Sequence, residues 1–264
     1  MRSLEPLVSP VSPSRADLSY GAGQETVRQP VASATEAIEP VPTGKVESRL
    51  SPWLVPFMYF LGRLIVMPNY FGRVQVIGQE NLPRSGPVIL APTHRSRWDA
   101  VIVPYVAGRH CSGRDLRFMV TADEVKGVQG WFIRRLGGFP VNTRRPSISS
   151  LRHGIELMLQ GEAMVMFPEG GIFRQREVSA LKPGLARLAL QAESNKPDLG
   201  IQIVPISIYY SDLIPKWKTR VTVAIGKPIA VQAYCQEPLK ESARCLTADL
   251  EKAIGQLVET YSYT

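Results

Sequence analysis

In the stretch "APTHRSRWDA", His94 is followed five places later by Asp99, with Arg95, Arg97 and Trp98 among the residues between them. An imidazole held by a carboxylate through one ring nitrogen has a fixed tautomer and a stabilised cationic form. Its other nitrogen can then take a proton from a hydroxyl, as the base half of a serine-protease triad does. No serine of the protein is needed if the hydroxyl belongs to the substrate. A competing reading makes Asp99 the cap of a helix beginning near Ala100 and leaves His94 in a loop. Further along, "AMVMFPEGGIFR" supplies Glu169, Gly170 and Arg174, "GFPVNTRR" supplies Arg144, and "LKPG" supplies Lys182.

These residues fall where strands should end. "RVQVIG", "PVILAP", "LRFMV", "GFPVN", "AMVMF", "IQIVPISIYY" and "RVTVAIGKPI" read as strands. Helices are expected over residues 98–107, "VQGWFIRRLG", the capped "SISSLRHGIELMLQ", "PGLARLALQAE" with Pro183 in its first turn, and residues 239–261. Short strands alternating with helices predict a mixed α/β fold with a largely buried central sheet flanked by helices. In such folds ligands bind at the carboxyl ends of strands, where the candidate residues lie.

The segment from Trp53 to Met67 is apolar apart from Pro56, Gly62 and Arg63. A membrane span needs about 20 apolar residues, and this run is shorter, carries an arginine and ends at Pro68. It predicts a helix lying in a membrane interface, with Trp and Tyr at headgroup depth and the arginine snorkelling. Packing on the protein's own core is the alternative. The expected organisation is therefore a disordered tail over residues 1–48, a membrane-associated helical segment over 49–72, and a catalytic domain over 73–264.

Charge and cysteines set wider bounds. The 264 residues carry a net charge of +8, yet residues 1–48 contribute −2, leaving +10 on the remainder. A basic body favours anionic partners such as acidic lipid, phosphorylated metabolites or nucleic acid. No RNA-binding aromatic motif is present, and neither a dinucleotide fingerprint nor a phosphate loop occurs, so nucleic acid and nucleotide-driven chemistry are disfavoured. Cys111, Cys235 and Cys245 are far apart, give no metal signature and suit a reducing compartment.

Four ordered blocks resemble the glycerolipid acyltransferase family that contains the 1-acylglycerol-3-phosphate acyltransferases. They are "HRSRWD" for H-x-x-x-x-D, "GGFPVNTRR" for a GxFxxxR-like pattern, "FPEGGIF" with "LKPG" for FPEGTRS and its following lysine and glycine, and "VPISI". The resemblance covers roughly residues 75–210. It implies His94 as general base and Asp99 as its orienting carboxylate, with Glu169 and Gly170 at the acceptor-binding end of the third block. Glu169 could equally anchor its loop through backbone N–H groups, and the two roles are compatible.

The implied reaction is acyl transfer from a thioester, on acyl carrier protein or coenzyme A, to a lysophospholipid hydroxyl at an anionic membrane surface. No metal or bound cofactor is implied. The enzyme would be a peripheral or monotopic membrane protein facing a cytoplasmic or plastid stroma-like compartment. Two positions depart from the pattern: the threonine and arginine of the third block are Gly171 and Ile172, and the arginine of the second is Thr143. Arg174 is the cation expected to grip an acceptor phosphate in place of the missing arginine, with Lys182 and Arg144 in reserve. The rival readings are an acyltransferase for another lysophospholipid or for glycerol 3-phosphate, and a non-catalytic lipid-binding module.

Overall fold

The structure is a computed structural model and describes residues 48–142, 147–235 and 238–261. The expected tail, apart from Ser48, and the candidate Arg144 lie outside the described residues. The chain begins with α1 (Leu54–Leu61), a π-helical stretch (Gly62–Val66) and α2 (Met67–Tyr70). It continues through β1 (Val74–Ile77), β2 (Val88–Pro92), α3 (Asp99–Ala107), α4 (Arg109–Ser112), β3 (Leu116–Thr121), α5 (Gly127–Arg135) and β4 (Gly138–Val141). Then follow α6 (Ile148–Leu159), β5 (Ala163–Val165), α7 (Gly184–Asn195), β6 (Gln202–Tyr210), β7 (Val221–Ile225), β8 (Ile229–Ala230) and α8 (Leu239–Tyr261).

The strands form one mixed sheet in the order β1-β7-β6-β2-β5-β3-β4, with β8 also pairing to β6. All neighbouring pairs are parallel except β6–β7 and β6–β8. Alternation along β2 splits the core. Val88 and Leu90 face a layer holding Phe71 and the α3 residues Ile102, Val103 and Val106. Ile89 and Ala91 face one built from α6, α7 and α8 through Met158, Ala189 and Leu250. A sheet covered on both faces explains why its central strands read as unbroken apolar runs.

Two elements differ from the sequence expectation. The run from Val221 does not continue as one strand to Ile229: Gly226, Lys227 and Pro228 break it, and β8 resumes the pairing with β6. Proline lacks the N–H that an unbroken ladder would use. The N-terminal helix, conversely, passes Pro68 and ends at Tyr70. The Met67 N–H donates to the Gly62 carbonyl, a wider i→i+5 turn, just before the proline. One face of this segment packs on the protein's own core, with Leu54, Val55 and Met67 buried, whereas Trp53, Phe57, Phe60 and Leu64 are more than half exposed. No described helix is long and apolar enough to cross a membrane.

Candidate active site

Register places the candidate residues together. β2 lies between β6 and β5, both parallel to it, with Leu90 paired to Val165 and Pro92 to Ile206. The carboxyl ends of three adjacent strands therefore deliver His94, Glu169 and Tyr210 to one edge of the sheet. Thr93 ties β2 to β6 there: its N–H donates to Ile206 at 2.9 Å, and its Oγ1 accepts the Ile208 N–H at 2.9 Å.

His94 Nδ1 lies 2.9 Å from Asp99 Oδ2, and Asp99 is fully buried. The same oxygen accepts the backbone N–H groups of Arg95 at 2.6 Å and Ser96 at 2.8 Å. The Tyr210 hydroxyl donates to the other oxygen at 2.6 Å. Four donors thus compensate the burial of one carboxylate. Asp99 is the first residue of α3, but these bonds run to residues before it and to β6, and Trp98 stands at the N-cap with no side-chain cap bond. Since a carboxylate only accepts, Nδ1 carries the proton and Nε2 is left as the basic nitrogen. The His94 ring stacks on Phe167, with centroids 4.0 Å apart and planes 22° apart, which fixes its orientation.

Burial and the Asp99 charge both raise the Tyr210 hydroxyl far above the usual tyrosine range, and the hydrogen bond to Asp99 adds to this. These effects favour Tyr210 as the protonated donor to Asp99. Neither Tyr210 nor Arg95 was among the sequence candidates.

Glu169 is an anchor in this geometry. One oxygen accepts the His94 N–H at 2.7 Å, and the other accepts the Ser179 N–H at 2.9 Å. The Arg95 guanidinium reaches both oxygens, at 2.9 and 3.0 Å, and also donates to the Phe173 and Glu177 carbonyls, each at 3.1 Å. The Phe173 N–H donates to the His94 carbonyl at 2.8 Å. The loop of the third block is thereby fastened to the loop of the first.

A cavity of about 1160 Å³ opens beside the imidazole, its walls including His94, Trp98, Phe118, Met119, Met166 and Phe167. Met58, Tyr59 and Val66 of the N-terminal helical segment also line it, as do Ile133 and Leu151. That is above the roughly 300–1,000 Å³ usual for small-molecule pockets, and its lining is mainly apolar. Gly170, Gly171, Ile172 and Lys182 lie in the wall, as do Arg63 and Arg97. Gly170 has φ +72°, and the Lys182 side chain runs so close over it that a Cβ there would stand 2.6 Å from Nζ. Arg174 is exposed and outside the residues lining the cavity. Arg97 is also paired with Glu124 at 2.8 Å on the surface. Among the described residues no cluster of three or more His, Cys, Asp or Glu side chains could hold a metal.

The acyltransferase family model matches residues 73–209, more than half of the chain. The chain belongs to the acyltransferase family. It is 25% identical over 211 residues to the 1-acyl-sn-glycerol-3-phosphate acyltransferase of Bacillus subtilis, covering 76% of this chain and 96% of that one. A Streptococcus pneumoniae protein of the same name is 26% identical over 148 residues, 54% of this chain and 50% of its own. The human mitochondrial glycerol-3-phosphate acyltransferase 1 is 25% identical over 178 residues, 63% of this chain but 21% of its own length. The fold is similar to the crystal structure of the 1-acyl-sn-glycerophosphate acyltransferase PlsC from Thermotoga maritima, with TM-score 0.61, 21% identity and 78% of each chain covered. The protein is thus an acyltransferase enzyme of the glycerolipid type, and His94 and Asp99 fall within the matched region.

Proposed function

We propose that this acyltransferase transfers a fatty acyl group from an acyl thioester to the sn-2 hydroxyl of 1-acylglycerol 3-phosphate, giving phosphatidic acid. The thioester is borne by acyl carrier protein or coenzyme A. The observation that carries this reading is a His94 imidazole held through Nδ1 by buried Asp99 and facing a large apolar cavity. The cavity takes the acyl chain, so that the thioester carbonyl rests beside the imidazole. The acceptor hydroxyl loses its proton to Nε2 as its oxygen bonds to the carbonyl carbon. The C–S bond then breaks, and the imidazolium returns the proton to the departing sulfur. Asp99 stabilises the imidazolium between these steps, and Tyr210 and the two backbone N–H groups hold Asp99 in place.

The acceptor phosphate is assigned to Lys182 over Gly170, with Arg144 and Arg174 as the further cations from the sequence pattern. Glu169 shapes the same end of the site by fixing the loop. Residues 73–264 form the catalytic domain, and residues 49–72 attach it to an anionic membrane surface through the exposed stripe of α1. A second reading, glycerol 3-phosphate as acceptor, presents the same phosphate to the site and is supported by the 25% identity over 178 residues to the human mitochondrial glycerol-3-phosphate acyltransferase 1.

The test is transfer of labelled acyl chains from both thioesters to a panel of acceptors by the purified protein. His94→Ala and Asp99→Asn serve as controls. Turnover on 1-acylglycerol 3-phosphate, lost in His94→Ala and severely cut in Asp99→Asn at unchanged thermal stability, is the expected result. Turnover only on glycerol 3-phosphate moves the assignment to the second reading. Near wild-type rates in either variant would sink the catalytic assignment.

A further inference from the structure

The loop between β6 and β7, residues 211–220, exposes three large apolar side chains: Leu213 at 62%, Ile214 at 65% and Trp217 at 62%. Such exposure in one short loop is costly in water unless something covers it. The loop's base is firmly built. The Ser211 N–H donates to the Arg220 carbonyl at 3.0 Å, the Lys216 N–H to Thr219 Oγ1 at 2.9 Å, and that hydroxyl to Asp212 at 2.9 Å. Thr219 is buried. The apolar tips are thus held outward by a polar frame.

The loop also sits against the end of the N-terminal helical segment. The Tyr70 hydroxyl donates to the Pro215 carbonyl at 3.2 Å, its backbone carbonyl accepts the Lys218 N–H at 2.7 Å, and its ring meets Trp217 edge-on with centroids 6.0 Å apart. Along that helix Trp53, Phe57, Phe60 and Leu64 recur at helical spacing and are all more than half exposed. Two segments some 150 residues apart in sequence, each bearing exposed apolar side chains, therefore meet at Tyr70. Arg63, Arg73, Lys216, Lys218 and Arg220 are exposed on these segments and beside them. The acidic side chain of the loop, Asp212, is engaged by Lys216 at 2.8 Å. The loop leaves the sheet at the edge that holds His94, directly after Tyr210. Trp98, in the cavity wall, stacks on Tyr70 at 4.3 Å.

We propose that the β6–β7 loop is a second membrane-contacting element, seating Leu213, Ile214 and Trp217 in an anionic bilayer beside the entrance to the site. A bilayer suits this surface: tryptophan partitions to headgroup depth, apolar tips enter the acyl region, and lysine and arginine meet anionic headgroups. The choice of a lipid surface as occupant rests on the glycerolipid reading above.

The experiment is partitioning of the full chain onto phosphatidylcholine vesicles with and without phosphatidylglycerol. Leu213→Ser with Ile214→Ser should weaken binding by at least about tenfold, and Lys218→Gln by about fivefold on the anionic vesicles alone. Phospholipids brominated on their chains should quench tryptophan emission in the wild type, and less of it in Trp217→Phe. The double variant should melt at the wild-type temperature and turn over short-chain, water-soluble substrates at the wild-type rate. Unchanged partitioning in the double variant overturns the proposal, as does unchanged quenching in Trp217→Phe. If partitioning is lost only in Phe57→Ser with Phe60→Ser, the helix alone makes the contact and the loop proposal falls. A double variant that turns a dimer into a monomer while binding vesicles normally identifies a second copy as the occupant, which also overturns it. Absence of turnover on every acceptor defeats the proposed function, while the partitioning still decides the loop.

Discussion

The hydroxyl of Tyr210 donates to Oδ1 of Asp99 at 2.6 Å, linking residues 111 positions apart. Phenylalanine at this position keeps the ring but leaves a buried carboxylate oxygen without its donor. A hydrogen bond to a charged group is worth roughly 1.5–3 kcal/mol, so kcat for Tyr210→Phe should fall about 10- to 100-fold. Both KM values should stay near wild type, because Tyr210 touches Asp99 and not the substrates. Steady-state kinetics on both substrates check this split. A normal kcat would show that His94 and the two backbone N–H groups suffice to hold the carboxylate.

Glu169 offers a test of anchor against binder. Glu169→Gln leaves the Arg95 guanidinium buried without its anion, and breaking such a pair costs about 3–5 kcal/mol. Urea unfolding should show a loss of that size, with acceptor and thioester KM shifted together. Unchanged stability with a selective rise in acceptor KM would instead make the substrate its partner.

The element order was legible because each buried strand is a short apolar run closed by Pro, Gly or a polar cluster, and α6, α7 and α8 each keep one apolar face. His94 and Asp99 were legible because five residues of sequence contain the whole interaction. Tyr210 was not: its role depends on β6 lying beside β2, and sheet order leaves no mark on local sequence. Arg95 and Arg97 stand inside "HRSRWD", but the motif pattern fixes only its first and last residues. Arg95 fastens Glu169, 74 residues away, and Arg97 lines the cavity, neither of which local sequence shows. Arg63 was read as a snorkelling cation, and helical periodicity alone could not show that it also lines the cavity. The break at Gly226–Pro228 did have a signal, the proline, which was overridden by the apolar residues on either side.

Tyr59 should make stability fall in alkali. Burial, the largest cause, raises its hydroxyl from 10.0 to about 12, while the backbone of Arg109 pulls the other way. Above pH 10 the unfolded chain has released this proton and the folded chain still holds it, so stability declines with rising pH. The contribution is fully present below pH 10 and is lost as the pH climbs through about 12. Tyr59→Phe should flatten the fall in melting temperature across that window while leaving the neutral range little changed. An identical alkaline slope in the variant would mean that Tyr59 is solvated in the folded protein.

Under the proposed reaction, the acceptor phosphate is the remaining charge to place. Ile172 occupies the wall where the family pattern has an arginine, and an isoleucine cannot pair with phosphate. A buried anion without a partner bears a desolvation cost of several kcal/mol, so a cation must meet it. Lys182 is in the wall and lies over Gly170, whose missing side chain makes room for it. Arg174 stands two residues beyond Ile172 and is exposed. Lys182→Ala should therefore raise the KM for 1-acylglycerol 3-phosphate about 10- to 100-fold and leave the thioester KM nearly unchanged. Gly170→Ala should reproduce part of that effect, because its Cβ displaces the lysine and strains a backbone held at φ +72°. Arg174→Ala should raise the acceptor KM by less than Lys182→Ala, and Arg174→Lys should recover only part of the loss, since a point charge lacks the bidentate fork. A larger effect at Arg174 than at Lys182 would show that its loop swings over the acceptor. Equal effects of Lys182→Ala on both substrates would remove the lysine from the phosphate altogether.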